Sequence, residues 1–211
     1  LKKHALVISQ RKYSRAGWIC LTKVHSRRGR LVKILIQLPV RDAVVTIHIL
    51  TTGGTIDKVY FDAKSDYEIG DPQIADILRS VNVQIDYQVH TLFRKDSLDL
   101  TDEDRREIVS FVSAMTADRI LITHGTDTMV QTANELKQVP EKTIVLVGSL
   151  SPARMKASDA EFNAGFALAA VQALTAGVYI AMNGRIFNAD HVRKNRDCLL
   201  YTSPSPRDWL Q

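Results

Sequence analysis

Two apolar runs in this chain end in threonine and glycine. Val45-Thr46-Ile47-His48-Ile49-Leu50 leads into Thr51-Thr52-Gly53-Gly54-Thr55-Ile56, and Arg119-Ile120-Leu121-Ile122 leads into Thr123-His124-Gly125-Thr126-Asp127-Thr128-Met129. A buried strand that breaks into Gly and Thr delivers hydroxyls and bare backbone N–H groups to the rim of a sheet. Open α/β sheets place their ligand sites at the carboxyl ends of strands. Two ends of like chemistry predict one pocket with two threonines facing each other.

The rest of the chain decides what sheet this is. Pro72 stands in the first turn of a helix running from Gln73 to Ser80, with Asp71 as its cap. Residues 83–89 alternate apolar and polar, the pattern of a strand with one covered face. Thr101-Asp102-Glu103-Asp104 caps a helix to about Met115, its acids in the first turn where the helix dipole favours them. Strands at 119–123, 143–147 and 178–182 then alternate with helices from Asp127 to Gln138 and from Ser158 to Thr175. This order predicts βαβ units: an α/β, doubly wound, mostly parallel sheet of about five strands, flavodoxin-like, in a single domain over 45–197.

Charge separates that domain from its flanks. Residues 1–44 hold eleven Lys and Arg against one acid, Asp42, whereas 45–211 hold seventeen basic against twenty-two acidic residues. The overall +5 therefore belongs to the first segment and makes no case for nucleic acid. Residues 1–44 carry the clusters Lys2-Lys3 and Arg27-Arg28-Gly29-Arg30 without a sustained period. They read as an unstructured leader or translated sequence upstream of the start, in preference to a nucleic-acid or membrane arm. The segment 198–211 is rich in Pro and Ser and looks like a translated sequencing-adapter read, so it is set apart from the domain. Cys20 and Cys198 form no disulfide framework, and no Cys/His spacing suits zinc. The run Leu31 to Val40 is broken by Lys33, Gln37 and Pro39, and no apolar run reaches the roughly 18–20 residues that span a bilayer. The expectation is a cytoplasmic protein without membrane partners.

Topology alone puts the polar candidates at one edge. Thr55 follows the first strand, Asp96 and Ser97 the second, Thr126 and Asp127 the third, Ser149 the fourth, and Lys194 comes shortly after the fifth. A threonine hydroxyl becomes a nucleophile once a base takes its proton, and a neutral lysine can serve. Gly53, Gly54 and Gly125 allow close backbone approach and can present N–H donors to an oxyanion. Each of Thr55 and Thr126 is about as well explained by a tight turn or an N-cap, while Thr51, Thr52 and Thr128 read as turn or cap residues. His124 reads as packing or backbone bonding, His48 as core or a buried polar group, and Lys58 and Lys64 as solvating the 57–70 loop. Tyr60 and Tyr67 either pack that loop down or close over a ligand. A phosphate- or nucleotide-binding module competes with this reading, although neither turn matches a phosphate-loop pattern.

Thr52-Gly53-Gly54-Thr55-Ile56 and His124-Gly125-Thr126-Asp127-Thr128-Met129 together resemble the two signature motifs of the bacterial-type L-asparaginase family. The resemblance runs from Val45 to Arg196 and takes in Ser65-Asp66-Tyr67, Gly70, Lys95-Asp96-Ser97, Val147-Gly148-Ser149 with Pro152, and Val192-Arg193-Lys194. It implies hydrolysis of L-asparagine to aspartate and ammonia by double displacement, with some glutamine activity and with neither metal nor cofactor. By motif position, Thr55 would attack the amide carbon and Tyr67, on a closing loop, would assist. Thr126 and Lys194 would form a second hydroxyl–amine pair, and Asp127 would orient the lysine and bind the α-amino group. Ser97 would hold the α-carboxylate, and Gly54 would line the substrate. Full-length members add a second domain that donates an acid to a neighbouring subunit's site. This chain therefore resembles a short member or a truncated one, and a homo-oligomer is implied. A non-catalytic amino-acid-binding module is the remaining alternative.

Overall fold

Five consecutive buried residues with no polar alternation require a strand covered on both faces, and Arg119–Thr123 and Thr143–Val147 are each buried at all five positions. A computed structural model describes residues 7–14, 17–25, 31–37, 45–61, 66–195 and 200–203, with side chains from residue 45 onward except that of Leu200. The clusters Lys2-Lys3 and Arg27–Arg30, Lys64, Ser65, Arg196, Cys198 and the segment 204–211 lie outside the described residues.

The chain divides into two units, 1–44 and 45–211. In the first, β1 (Val7–Ser14), β2 (Gly17–His25) and β3 (Leu31–Gln37) form an antiparallel meander. This replaces the unstructured leader that composition suggests. Stretches such as Leu31-Val32-Lys33-Ile34-Leu35-Ile36 have the β-branched content of a strand, and scattered Lys and Arg hide it from a search for period.

The second unit contains, in order, β4 (Ile47–Gly53), β5 (Lys58–Phe61), β6 (Asp66–Ile69), α1 (Ile74–Ser80), β7 (Tyr87–Lys95), α2 (Asp102–Ala114), β8 (Arg119–Thr123), α3 (Met129–Leu136), β9 (Thr143–Val147), α4 (Ala160–Ala173), β10 (Gly177–Met182), β11 (Arg185–Asn188), β12 (Arg193–Asn195) and β13 (Leu200–Thr202). Six strands make the central sheet in the order β11-β10-β9-β8-β4-β7. Five are parallel, as the βαβ alternation predicts, and β11 adds an antiparallel edge. Helices cover both faces. Arg119 donates to the carbonyls of Val171 and Leu174 at the end of α4, while on the other face His90 meets Phe111 of α2. Among the described residues no helix is long and apolar enough to cross a membrane.

Counted in chain order, the parallel strands lie 2-1-3-4-5, the flavodoxin-like arrangement, whose switch point falls between the first and third. Those two strands are β4 and β8, the ones that end in the Thr-Gly stretches. The second strand lies later than its alternation suggests, at 87–95 rather than 83–89, because pairing from Ile47↔Tyr87 to Gly53↔Lys95 sets its register. The chain does not leave the fold at 197: β13 pairs with β12, setting Tyr201 opposite Lys194, and Tyr201 is buried against Phe187.

Candidate active site

At the switch point the two Thr-Gly turns touch. Gly54 has φ 92°, and a Cβ there would sit 2.5 Å from Gly125 Cα, so only glycine lets the turns close on each other. A Cβ on Gly125 would in turn lie 2.6 Å from both Cβ and Oγ of Ser97. Thr52 Oγ1 donates to the Thr123 carbonyl at 3.0 Å, cross-linking the ends of β4 and β8. The ends of β4, β7 and β8 are thus drawn into one crevice. Thr55, half-buried, opens a 3-10 turn that runs to Asp57.

Across the crevice stands a lysine. Lys194 Nζ donates to Thr126 Oγ1 at 2.9 Å and to Asp127 Oδ1 at 2.6 Å, with the lysine side chain only 5% exposed. Ser97 Oγ accepts from the Asp127 N–H at 3.3 Å, and the Ser97 carbonyl accepts from Thr128 Oγ1 at 2.6 Å. Tyr201, beside Lys194 on the paired strand, donates to the Thr126 carbonyl at 2.7 Å. Thr126 is thereby held through both its hydroxyl and its backbone.

Buried charge around this core is managed by pairing or by neutrality. Burial raises the Asp96 carboxyl, but the Lys58 ammonium at 2.7 Å and the N–H groups of Leu98 and Ser97 outweigh it and hold it below the usual carboxylate range. Lys58 is thus an ion-pair partner rather than a loop-solvating residue. His124 is fully buried, and burial pushes its pKa down to about 4. The Gly125 carbonyl, 2.7 Å from Nδ1, can only accept, so in the neutral ring Nδ1 carries the proton and Nε2 accepts from Thr132 Oγ1 at 2.8 Å. This is the packing role expected of His124. His48 is a half-buried polar group rather than a core or fully buried one, its ring stacked on that of His90 with an Nδ1–Nε2 distance of 3.0 Å.

Not every candidate joins the centre. Tyr67 is 41% exposed on β6, and its ring meets Tyr60 edge-on. It lines a cleft of about 430 Å³ with Lys58, Glu68, Arg94, Asp96 and Asp99, a lining that does not include Thr55. The Gly54 N–H is committed to the Lys95 carbonyl at 3.0 Å, so Gly54 contributes close approach rather than a free donor. That also weakens the phosphate-cradle reading of the first turn, which needs its N–H groups open. Ser149 Oγ is held within its own loop by the Ser151 carbonyl at 2.6 Å. Among the described residues no three His, Cys, Asp or Glu gather where they could hold a metal ion. Asp57, fully buried two residues beyond Thr55, carried no signal in the sequence, because its partners come from elsewhere in the fold.

A family model for the N-terminal domain of asparaginase matches residues 46–202, a span that holds both Thr-Gly turns, Ser97 and Lys194. The chain belongs to the asparaginase family. Asparaginase relatives include a probable periplasmic L-asparaginase of Haemophilus influenzae, 32% identical over 76% of this chain and 49% of the relative. A glutaminase-asparaginase of Acinetobacter glutaminasificans is 33% identical over 58% of this chain and 38% of the relative. Among solved structures, a probable cytoplasmic L-asparaginase of Campylobacter jejuni superposes with a TM-score of 0.59 and 32% identity, over 76% of this chain and 52% of that one. The chain thus spans about half the length, or less, of these asparaginase relatives.

Proposed function

We propose that this asparaginase-family chain hydrolyses the side-chain amide of L-asparagine to L-aspartate and ammonia through an acyl-enzyme on Thr55. The observation that carries the reading is the contact of the buried Lys194 side chain with both Thr126 Oγ1 and the partly exposed Asp127, next to a glycine-tight approach of the Thr55 turn. In this reading Thr55 Oγ attacks the amide carbon as its proton passes to a neighbouring base. The tetrahedral oxyanion is met by backbone N–H groups of the Thr-Gly turns other than those of Gly54 and Asp127, which are already bonded; such donors typically contribute about 3 kcal/mol each to this kind of state. Collapse breaks the C–N bond, and the nitrogen leaves as ammonia after taking a proton. Water, activated by the Thr126–Lys194 pair, then cleaves the Thr55 ester and frees aspartate. Asp127 orients Lys194 and meets the substrate's α-ammonium, Ser97 meets its α-carboxylate, and Tyr67 approaches Thr55 as the β5–β6 hairpin closes. The protein is proposed to work as a homo-oligomer in the cytoplasm, with no metal or organic cofactor.

Ammonia release from asparagine and from glutamine tests this directly. Thr55→Ala and Thr126→Ala are each expected to lower kcat by about a thousandfold or more, as loss of a nucleophile or of its activating partner does. If both variants kept wild-type turnover, the mechanism would be wrong. Calorimetry showing amino-acid binding without ammonia release would instead identify a binding module.

A further inference from the structure

The turn that carries Thr55 contains an acid the mechanism above does not use. Asp57 is 1% exposed, and three bonds converge on it. Its N–H closes the turn on the Gly54 carbonyl at 3.1 Å, its carbonyl accepts from the Gly70 N–H at 2.8 Å, and its Oδ1 accepts from the Gln73 N–H at 2.8 Å. Gly70 is where β6 leaves the β5–β6 hairpin, and Gln73 is the residue before α1. The hairpin therefore starts at Lys58, directly after Asp57, and returns to Asp57 at its other end. Both receiving points are themselves fixed. A side chain at Gly70 would run into Val59, and Gln73 Oε1 accepts from Arg154 Nε at 2.9 Å. Ile56, between Thr55 and Asp57, accepts from the Ala153 N–H at 3.1 Å, so the turn is braced from the loop after β9 as well.

A carboxylate is a costly group to bury with one side-chain bond. Burial pushes the Asp57 carboxyl up to about 6, with the Gln73 N–H and the charge of Arg94 pulling the other way. The fold retains it where the nucleophile's turn meets the start of α1, beside the returning foot of the hairpin.

We propose that the Asp57 side chain is a positioning residue for Thr55, fastening the turn that carries the nucleophile to Gln73 at the start of α1, three residues beyond the returning end of the β5–β6 hairpin, so that the position of that end and the Thr55 geometry change together. It rests on the reading of Thr55 as the attacking group. Asparagine retains the side-chain acceptor and alanine removes it, which separates the fastening from the charge.

The test compares wild type, Asp57→Ala and Asp57→Asn by amide exchange of the whole chain near pH 7 and by steady-state ammonia release. In Asp57→Ala, exchange is expected to rise in 55–57 and 66–73 while 119–123 and 143–147 stay protected. The same variant is expected to lose about a hundredfold in kcat with a smaller change in KM, the loss that a displacement of about 1 Å at a reacting group produces. Asp57→Asn is expected to restore both. Should Asp57→Ala fail to fold, Asp57→Ser, whose hydroxyl stops short of Gln73, takes its place. Uniform loss of protection with kcat unchanged, wild-type exchange at 55–57 and 66–73, or failure of Asp57→Asn to rescue would each overturn the proposal. If the wild type released ammonia from neither amide, the assigned activity would fall while the exchange comparison still decided the fastening.

Discussion

Two glycines decide how closely the threonines can meet. Gly54 needs φ 92° and backbone contact with Gly125, so Gly54→Ala meets strain and collision together. It is expected to lose about 3 kcal/mol or more of stability, measured by urea unfolding at unchanged m-value. Gly125 has no positive φ, and a Cβ there presses on the Ser97 side chain. Gly125→Ala should therefore escape the backbone strain but still cost stability by pushing on the buried Ser97, and should raise KM for the amide substrate, with kcat affected less. These residues were legible because a threonine or glycine after a buried strand has a local reason to be there. Lys194 and Ser97 followed from topology once the sheet order was inferred. Asp57 and the Lys58–Asp96 pair were not legible: Gln73 lies sixteen residues beyond Asp57, and Lys58 reaches Asp96 only after β7 pairs with β4.

Whole elements show the same division between local and distant causes. The start of α2 is local, and it folds as a capping box in which Thr101 Oγ1 accepts from the Asp104 N–H and the Asp104 carboxylate accepts from the Thr101 N–H. Thr101→Ala should cost about 1 kcal/mol, read as a fall in the urea midpoint. Asp104 also receives Lys95 Nζ at 2.8 Å, so the same change loosens the end of β7 next to Ser97. The β10–β11 hairpin was equally local. Its turn is Asn183-Gly184, both at positive φ, the two-residue signal that matches the twist of antiparallel strands. The βαβ alternation accounts for five strands, and this antiparallel turn adds β11 as the sixth. The β5–β6 hairpin had no such signal. Tyr60, Phe61 and Tyr67 are all exposed, so burial does not write its pattern into the sequence.

Over the whole molecule, two buried groups titrate in opposite directions through the same pH range. His124 is held neutral, with a folded pKa of about 4 against an unfolded value near 6.5. Its contribution is complete above pH 6.5 and is lost as pH falls toward 4, a change of about 3 kcal/mol. His48, also lowered by burial and by His90, acts in the same sense. Asp57 has its folded pKa raised to about 6 from 3.8, so its charged form is disfavoured in the fold. Its penalty, also about 3 kcal/mol, is present above pH 6 and is relieved as pH falls toward 3.8. The depressed carboxyls of Asp96 and Asp104 lose their contribution only below about pH 3.8, outside this window. The two larger effects therefore oppose each other, and wild-type stability should be nearly flat between pH 6.5 and 4. Asp57→Asn removes one side of the balance. It should be more stable than wild type at pH 7, with most of that gain lost by pH 4, where the wild-type carboxyl is itself protonated and its penalty relieved. Urea unfolding of both proteins at half-unit pH steps measures the difference. Parallel curves across pH 4–6.5 would mean that Asp57 does not titrate in that range and that its carboxylate is far better solvated than its burial implies.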